Sequence, residues 1–402
     1  MSKEVKLKIE NVYKVFGNSP NKVFKLIEQG VEKDEIFRQT GQTVGVKDAS
    51  FEIYKGEIFV IMGLSGSGKS TMVRLLNRLI EPTRGSIYID GKDVTKMERK
   101  ELRKTRREKI SMVFQSFALM PHLNIIDNTA LGLEFDGMSK EERYEKARIA
   151  LTQVGLKDYE KSYPDQLSGG MQQRVGLARA LATDSDIMLM DEAFSALDPL
   201  IRTEMQDELL DLQESLGKTI VFISHDLDEA MRIGDRIAIM QGGEVVQIGT
   251  PDDIISNPEN EYVRSFLSGV DIAGIFTAGH IATKKNVTAI QKSEGGIKTT
   301  LQLLQDHDRE FAYVVNKKQE YLGVVSLDSL KEQKKVNGNL EGAFLKDISA
   351  IEEDVQLNDL LGQVAHATCP LPVISKSKKY LGTISKAHLL DTLDFNMEET
   401  NV

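Results

Sequence analysis

The chain has 402 residues, of which 41% are hydrophobic and 28% charged, and its formal net charge is −10. This length allows two or three domains with buried cores, and the acidic balance argues against a broad nucleic-acid-binding surface. The single cysteine, Cys369, excludes an internal disulfide and a cysteine-based zinc cluster, and it fits a small buried residue in a reducing compartment.

The amino terminus, "MSKEVKLKIENVYKVFG", predicts no export signal because charges interrupt it throughout. The longest strong apolar run, "IFVIM" at 58–62, is far shorter than a membrane-spanning helix requires. We therefore expect a cytoplasmic chain that meets a membrane only through a partner.

The first 60 residues predict mainly strands. "VKLKIE" (5–10) alternates apolar and polar residues, and "ASFEIYKGEIFVIMG" (49–63) contains two strands around a turn at Lys55-Gly56. Between them, residues 18–43 have apolar residues at helical spacing. This pattern predicts a pair of helices inserted between two strands.

From about residue 63 to 250, strands and helices alternate, which predicts an α/β core. The stretch 146–166 is predicted to be helical. "DIMLMD" (186–191) and "KTIVFISHD" (218–226) are predicted as short buried strands, each followed by a helix. "DRIAIMQGGEVVQIGT" (235–250) predicts a hairpin with a Gly-Gly turn.

A charged, proline-containing joint at 250–271 precedes an internal repeat. Residues 313–330 match 371–390, with Tyr-Leu-Gly occurring in both copies at a separation of 59 residues. Each copy follows a helix-like segment, so the predicted unit is helix, strand, turn, strand, helix. Two copies indicate a pseudo-symmetric pair, because a solenoid needs at least three repeats.

The segment "GLSGSGKST" (63–71) matches the phosphate-binding pattern G-x-x-x-x-G-K-[ST], between an apolar strand and an amphipathic helix. Its glycines let backbone N–H groups wrap phosphates, Lys69 reaches the β and γ oxygens, and the Ser70 hydroxyl can ligate Mg²⁺. The predicted nucleotide-binding residues are Gly63, Leu64, Ser65, Gly66, Ser67, Gly68, Lys69, Ser70 and Thr71. The sequence therefore predicts binding of a nucleoside triphosphate.

Asp191 and Glu192 follow a buried strand and supply the second half of this site. Asp191 can hold Mg²⁺ directly or through water. Glu192 is the candidate general base for the attacking water. The alternative is a charge pair at a helix amino terminus, which the nearby phosphate-binding loop disfavours.

Three more residues are candidates for the nucleotide site. His225 ends another buried strand and is predicted to contact the γ-phosphate, with a structural histidine as the alternative. Gln115 can reach the metal or the attacking water, or it is a surface loop residue. Phe16 can stack on a base, or it packs in a core.

The stretch "YPDQLSGGMQQRVGLARALA" (163–182) places Ser168-Gly169-Gly170 at the start of a predicted helix. Free N–H groups and the positive end of the helix dipole suit an anion there. The phosphate-binding loop already has a helix start of its own, so the anion of this second start is predicted to come from another molecule.

In this order, GLSGSGKST, Gln115, LSGGMQQR, IMLMDE, SALD and His225 resemble the ATPase subunit of an ABC transporter over roughly residues 5–266. The resemblance implies an α/β P-loop domain with a RecA-like core, an antiparallel β subdomain and a helical subdomain, using ATP and Mg²⁺. It further implies a head-to-tail homodimer. The residues that would contact the partner's ATP are Ser168, Gly169, Gly170, Gln173 and Asp198. Gln115 would act catalytically and on the metal, and "FALMPH" after it would dock a permease helix.

A narrower resemblance, carried by the insertion, the loop region and "DEAFSALDPLIRTEMQDEL", is to ATP-binding subunits of glycine betaine/L-proline osmoprotectant importers. The carboxy-terminal repeat resembles their α+β tandem cystathionine-β-synthase (CBS) domains. The implied domains are 1–266, 280–337 and 345–398. The implied partners are an integral membrane permease and, through it, a periplasmic or extracellular solute-binding protein, at the cytoplasmic face of the bacterial cell membrane.

The repeats depart from the nucleotide-binding CBS pattern, because neither has an Asp three residues after its serine. In the first copy Asp328 is one position off, and the second reads Ser385-Lys386-Ala387-His388. An ionic-strength sensor near the membrane and a dimerisation module therefore stay open. Residues 271–402 hold 15 Lys and Arg against 18 Asp and Glu, so only local lysine clusters can meet anionic lipid.

Two further functions remain as alternatives. One is the ATPase of another importer, because the solute never touches this subunit. The other is a non-transport ABC ATPase acting on DNA or ribosomes. The short separation of Lys69 and Asp191 and the single ATPase unit both disfavour that class.

Overall fold

A computed structural model describes residues 4–267, 276–284, 286–291, 296–336 and 339–394. The chain divides into two compact units, Met1–Phe266 and Leu267–Val402. The expected domain end at 337, the end at 398 and the last residues of the joint at 250–271 lie outside the described residues.

The first unit contains two sheets. Its strands are β1 (Val5–Phe16), β2 (Thr43–Tyr54), β3 (Ile58–Met62), β4 (Arg84–Ile89), β5 (Lys92–Asp93), β6 (Ile110–Phe114), β7 (Ile187–Asp191), β8 (Thr219–Ser224), β9 (Arg236–Gln241) and β10 (Glu244–Gly249). One sheet has the order β2-β1-β4-β5 and the other β10-β9-β3-β8-β7-β6. In the second sheet, β10 alone runs antiparallel to its neighbour among the described strands.

Helices surround these sheets. They are α1 (Pro20–Glu28), α2 (Lys33–Thr40), α3 (Lys69–Leu76), α4 (Arg99–Lys109), α5 (Ile125–Phe135), α6 (Lys140–Gln153), α7 (Gly169–Ala182), α8 (Pro199–Leu216), α9 (Leu227–Ile233), α10 (Pro251–Ser256) and α11 (Glu261–Leu267). Within the described residues, no helix has the length and apolar character needed to span a bilayer.

The central strands explain why the core lies between the two sheets. Every residue of β3 and β8 is buried, as expected for parallel strands covered on both faces. Leu7 and Ile53 of the antiparallel sheet pack in one cluster with Phe59 and Ile61 of β3 and with Met72 of α3. Because β3, β8 and β7 pair in parallel, their carboxyl ends lie at the same edge of the second sheet.

Helices α1 and α2 lie between β1 and β2, within the segment expected to be an insertion. The second of them ends at Gly41, whose φ of 66° is the left-handed conformation that glycine adopts at low cost. Gln42 closes the base of the insertion: its side chain accepts a hydrogen bond from the Ser19 N–H at 2.9 Å and donates one to the Ser19 carbonyl at 3.1 Å.

The helix predicted across 146–166 is wrong in its second half. The helix α6 ends at Gln153, and two short 3₁₀ turns at Lys157–Tyr159 and Pro164–Gln166 follow. Gly155 has a φ of 70°, which ends the α-helix. The helices α5, α6 and α7 contact one another and form a helical subdomain.

In the described part of the second unit there are two similar three-stranded sheets. Its elements are α12 (Ala278–Ile281), β11 (Val287–Ile290), α13 (Ile297–Asp306), β12 (Phe311–Val315), β13 (Tyr321–Ser326), α14 (Leu327–Lys335), β14 (Ile351–Glu352), α15 (Leu357–His366), β15 (Leu371–Ile374), β16 (Tyr380–Ile384) and α16 (Lys386–Asp394). In the structure, each copy of the repeat also contains a short first strand, β11 or β14, that was not predicted and that pairs in parallel with the next strand. Sequence reasoning missed these strands because they have only four and two residues.

The two copies meet through their hairpins. The Tyr321 N–H donates to the Lys378 carbonyl at 3.0 Å, and the Tyr380 N–H donates to the Gln319 carbonyl at 2.9 Å. The rings of Tyr321 and Tyr380, which occupy equivalent positions in the two copies, stack with centroids 6.3 Å apart. The pairing of equivalent tyrosines agrees with a pseudo-symmetric pair.

Candidate nucleotide-binding site

The loop between β3 and α3 is shaped by its glycines. Gly63, Gly66 and Gly68 have φ values of 149°, 79° and 109°, which side-chain-bearing residues rarely adopt. A Cβ on Gly63 would overlap the Met240 carbonyl, and one on Gly68 would overlap the Gly45 carbonyl. Because these obstacles are backbone atoms, only glycine fits at 63 and 68.

Lys69 lies inside this loop and is 6% exposed. Its ammonium donates to the Gly63 carbonyl at 2.7 Å and to the Leu64 carbonyl at 3.2 Å. Burial lowers the pKa of Lys69, and the nearby carboxylates of Glu192 and Asp191 oppose that shift. A phosphate entering the loop would meet a cation that is already desolvated.

Ser70 and Asp191 lie side by side at the end of β7. The Ser70 hydroxyl donates to Oδ1 of Asp191 at 3.3 Å. Burial raises the pKa of the Asp191 carboxyl, although Ser70 and the nearby Arg74 and Lys69 favour its ionised form. A hydroxyl beside a carboxylate is the donor set that Mg²⁺ uses together with substrate phosphates.

Glu192 and His225 follow neighbouring strands, β7 and β8. Glu192 has a φ of 49°, and its N–H donates to the Ile223 carbonyl at 3.2 Å. Its Oε1 lies 3.6 Å from Nδ1 of His225, whose side chain is 58% exposed. A carboxylate and an imidazole thus face the same space at the strand ends.

Lys69, Ser70, Glu192 and His225 line a cavity of 660 Å³. Its lining residues are Phe16, Lys33, Thr43, Gly45, Leu64, Ser65, Gly66, Gly68, Lys69, Ser70, Thr71, Glu192 and His225. Phe16 is 39% exposed, so the alternative that it packs in a core is wrong. The predicted loop residues Gly63 and Ser67 do not belong to the described lining, and Ser67 is buried.

The sequence analysis did not identify four residues that line the cavity or connect Gln115 to it. Lys33, Thr43 and Gly45 come from the insertion and from β2, and no motif identifies them. Ser195 lies in the quoted SALD segment but had no assigned role.

Gln115 follows β6 and is connected to this site through Ser195. Its amide donates to Oγ of Ser195 at 2.9 Å, and the Ser195 hydroxyl donates to the Glu192 carbonyl at 2.9 Å. Gln115 is exposed and does not line the described part of the cavity. To contact the metal or the attacking water directly, Gln115 would have to break its hydrogen bond to Ser195.

The loop after Gln115 is held by hydrogen bonds from two side chains, Arg179 and the fully buried Asn128. Phe117 and Ala118 have φ values of 59° and 50°, and their carbonyls accept hydrogen bonds from the guanidinium of Arg179 in α7. Asn128, which is fully buried, binds the backbone of Met120 through both its amide oxygen and nitrogen, at 2.7 and 3.1 Å. The loop therefore presents Met120, 39% exposed, from a fixed platform.

The start of α7 has a different environment. The Ser168 hydroxyl accepts a hydrogen bond from the Met171 N–H at 3.4 Å and caps the helix. Ser168 and Gly169 are exposed, Gly170 is half-buried, and none of them lines the described cavity. Asp198 precedes α8 and is also exposed. These residues are accessible to another molecule.

Gln173 does not fit its predicted contact with the partner's ATP. The side chain is 0% exposed, and within the described chain both its amide oxygen and its amide nitrogen are buried without a hydrogen-bond partner. The prediction is wrong for this conformation, because helical spacing turns Gln173 from the exposed start of α7 into the helical subdomain.

Comparisons with known proteins agree with this geometry. Residues 46–195 match the family model described as ABC transporter. The chain is 59% identical to a glycine betaine/proline betaine transport system ATP-binding protein of Salmonella typhimurium over 97% of this chain and 98% of that protein. It is 50% identical to a glycine betaine transport ATP-binding protein of Bacillus subtilis over 99% of this chain and 95% of that protein.

Solved structures support the fold of the first unit. The dimeric structure of a bacterial ABC transporter cassette is 36% identical, with a TM-score of 0.52, and the match covers 61% of this chain and 98% of that chain. A post-hydrolysis dimer of the same cassette with bound ADP and Pi matches equally well. The predicted α/β P-loop ATPase fold is thereby confirmed. The chain belongs to the ABC transporter family, as an ATP-binding protein of the glycine betaine transport type.

Proposed function

We propose that this chain hydrolyses ATP to power uptake of an osmoprotectant such as glycine betaine, proline betaine or L-proline through a membrane permease. The observation that carries the proposal is the 59% identity over nearly the full length to an ATP-binding protein of such a transport system. The subunit would act at the cytoplasmic face of the bacterial cell membrane, bound to the permease. A solute-binding protein would deliver the solute from outside.

In the proposed mechanism, the loop 63–71 wraps the phosphates of ATP and Phe16 stacks on its base. Ser70 and Asp191 would hold Mg²⁺, which neutralises phosphate charge during the transfer. No cluster of three or more His, Cys, Asp or Glu exists among the described residues. The pair at 3.3 Å therefore supports a metal shared with the nucleotide rather than a closed protein site.

Glu192 is proposed to accept the proton of the attacking water. Glu192 directly follows Asp191 at the end of β7, and Nδ1 of His225 lies 3.6 Å from its Oε1. The imidazole can therefore keep the carboxylate in place and orient the γ-phosphate. Gln115 would join this site by exchanging its bond to Ser195 for the attacking water. The Ser195 bridge gives Gln115 a defined resting position close to Glu192.

The second half of each site is proposed to come from a second copy of the chain. Ser168, Gly169 and Gly170 would bind the γ-phosphate held by the partner's loop, and Asp198 would lie nearby. This assignment is supported by the exposure of Ser168, Gly169 and Asp198, and by the fact that none of the four residues lines the described cavity. Closure would thus require two bound ATP-binding subunits, and permease helices docked on the Met120 platform would follow that closure.

The second unit is proposed to be a regulatory CBS pair. Two similar αββα copies with an added parallel strand support this, while the ribose-binding aspartate is not in place. Asp328, one position off the expected site, is 90% exposed and pairs with Lys331 at 3.5 Å. An ionic or osmotic signal is therefore favoured over an adenosine ligand.

Reconstitution tests the transport function. The chain and its permease in proteoliposomes, with the solute-binding protein added outside, should accumulate radiolabelled glycine betaine with internal ATP, while Glu192→Gln proteoliposomes should not. Accumulation of carnitine or trimethylamine N-oxide in place of betaine would assign another solute. ATP hydrolysis without accumulation of any of these solutes would refute an osmoprotectant importer.

Deletion of residues 267–402 tests the regulatory role. Uptake by the truncated protein should lose its dependence on external salt. Unchanged salt dependence would remove the sensing role from the second unit.

A further inference from the structure

The insertion between β1 and β2 is a packed structure rather than a loose loop. Its small core consists of Val15, Val23, Phe24, Ile36 and Val44, all of them buried. Together with the Gln42 bonds to Ser19, this core fixes the position of α2 relative to β1 and β2. Any contact from the start of α2 is therefore made from a rigid element.

Lys33, the first residue of α2, reaches the phosphate-binding loop. Its ammonium donates a hydrogen bond of 2.9 Å to the carbonyl of Gly66, and the side chain lines the same cavity as Lys69 and His225. Among the described residues, no ion pair includes Lys33. The insertion thus brings a second ammonium, not neutralised by a carboxylate, to the nucleotide site.

The bond falls where the loop has least support from packing. A Cβ on Gly66 would meet no atom within 4 Å, so the tip of the loop is open on that side. The Ser67 N–H donates to the Leu64 carbonyl at 3.1 Å. With Lys33 on the Gly66 oxygen, the peptide group between Gly66 and Ser67 is held at both ends.

We propose that Lys33 is a positioning residue for ATP: it fixes the tip of the phosphate-binding loop and adds positive charge beside the bound phosphates. The inference rests on the proposed nucleotide site and deepens it. Lys33 holds the loop in its binding conformation before the phosphates arrive, which lowers the cost of binding. The Lys33 ammonium bonds to the loop tip, and among the described contacts none joins it to Glu192 or His225. Lys33 therefore acts on ATP affinity and not on the hydrolysis step.

Lys33→Met in the full chain tests this inference, because methionine keeps the helix propensity and the stem but removes the donor and the charge. The Kd for MgATP and the KM should both rise about tenfold, since hydrogen bonds from charged groups are the stronger kind. The kcat at saturating ATP should stay within about twofold of the wild-type value. Lys33→Arg should restore most of the affinity.

Lys22→Met is the matched control, because Lys22 is an exposed lysine of the neighbouring helix α1. It should bind MgATP as the wild type does. An unchanged Kd in Lys33→Met, or a fall in kcat with an unchanged KM, would overturn the role of Lys33. Lys69→Ala tests the nucleotide site independently of Lys33. Normal MgATP binding by that variant would refute the proposed site itself, whatever the result for Lys33.

Discussion

Two helices of the first unit begin with glycine-rich segments suited to an anion, and their surroundings differ sharply. At the start of α3, Lys69 is 6% exposed and hydrogen-bonded to its own loop, and Ser70 contacts Asp191. At the start of α7, Ser168 and Gly169 are exposed, and Ser168 caps only its own helix. One start has its own buried cation and a hydroxyl beside a carboxylate, and the other is proposed as half of a site that a second copy completes.

A helix amino terminus therefore does not define a binding site by itself. Free N–H groups exist at both starts, since every helix leaves its first N–H groups without intrahelical partners. The difference comes from what the tertiary structure places opposite them. Variants that act on one helix start and spare the other test this difference.

The largest effect is expected from Glu192→Gln, which would leave both helix starts intact and remove the proposed base. We expect kcat for ATP hydrolysis to fall by about 10²–10⁴-fold, because a neutral amide is not basic enough to accept the water's proton. ATP should then hold two copies together, and light scattering would detect the dimer. Rapid steady-state hydrolysis by this variant would remove Glu192 from its assigned role.

Ser168→Asp acts on the second start alone. Aspartate caps a helix as well as serine does, so the fold should be kept, but its charge would repel the partner's γ-phosphate. Hydrolysis should fall by about 100-fold, while the Kd for MgATP of the single subunit stays unchanged.

Mixing two inactive variants sharpens this prediction. A head-to-tail pair of Ser168→Asp and Lys69→Ala subunits contains one site with both halves intact. Mixed subunits should therefore regain hydrolysis that neither variant shows alone. No recovery, together with evidence of subunit exchange, would contradict a site shared between copies.

Matched glycine substitutions compare the two starts directly. Gly68→Ala would force a Cβ onto the Gly45 carbonyl at a φ of 109°, so the Kd for MgATP should rise by at least about tenfold. A Cβ on Gly169 would meet its nearest atoms at 3.9 Å, so Gly169→Ala should bind MgATP normally. Isothermal titration of both variants gives the comparison, and equal losses would show that the starts are not distinct.

The smallest effect concerns Asp191, whose pKa is raised from 3.8 by burial. Its stabilising contribution is present below pH 3.8 and is lost as the pH rises through the higher value of the folded state. Without nucleotide, Asp191→Asn should therefore raise Tm at pH 7 by about 1 °C while impairing hydrolysis. At pH 3 the two proteins should unfold alike, and a Tm gain confined to that acidic pH would contradict the burial argument.

Much of the nucleotide site could be predicted because its parts are local. The glycines, Lys69 and Ser70 are consecutive, and the strands before Asp191 and His225 are short apolar runs that end at those residues. The parallel order of β3, β8 and β7 then brings the two strand ends to the loop. Family membership followed from the order of motifs along the chain.

Other features depended on contacts that no local pattern encodes. Gln173 belongs to the same motif as Ser168, yet one turn of helix later it is buried, so proximity in sequence misled the prediction. Gln115 is held by Ser195, 80 residues away in the chain. The strands β11 and β14 are too short for their alternation to be recognised.

The chemistry of the first helix start follows from the sequence, because loop conformation and charge there arise from adjacent residues. Tertiary structure decided which side chains surround it, including Lys33 from the insertion, and it left the start of α7 open to a second molecule. The physical reason is that backbone preference is a local property, whereas burial and charge neutralisation depend on how distant elements pack.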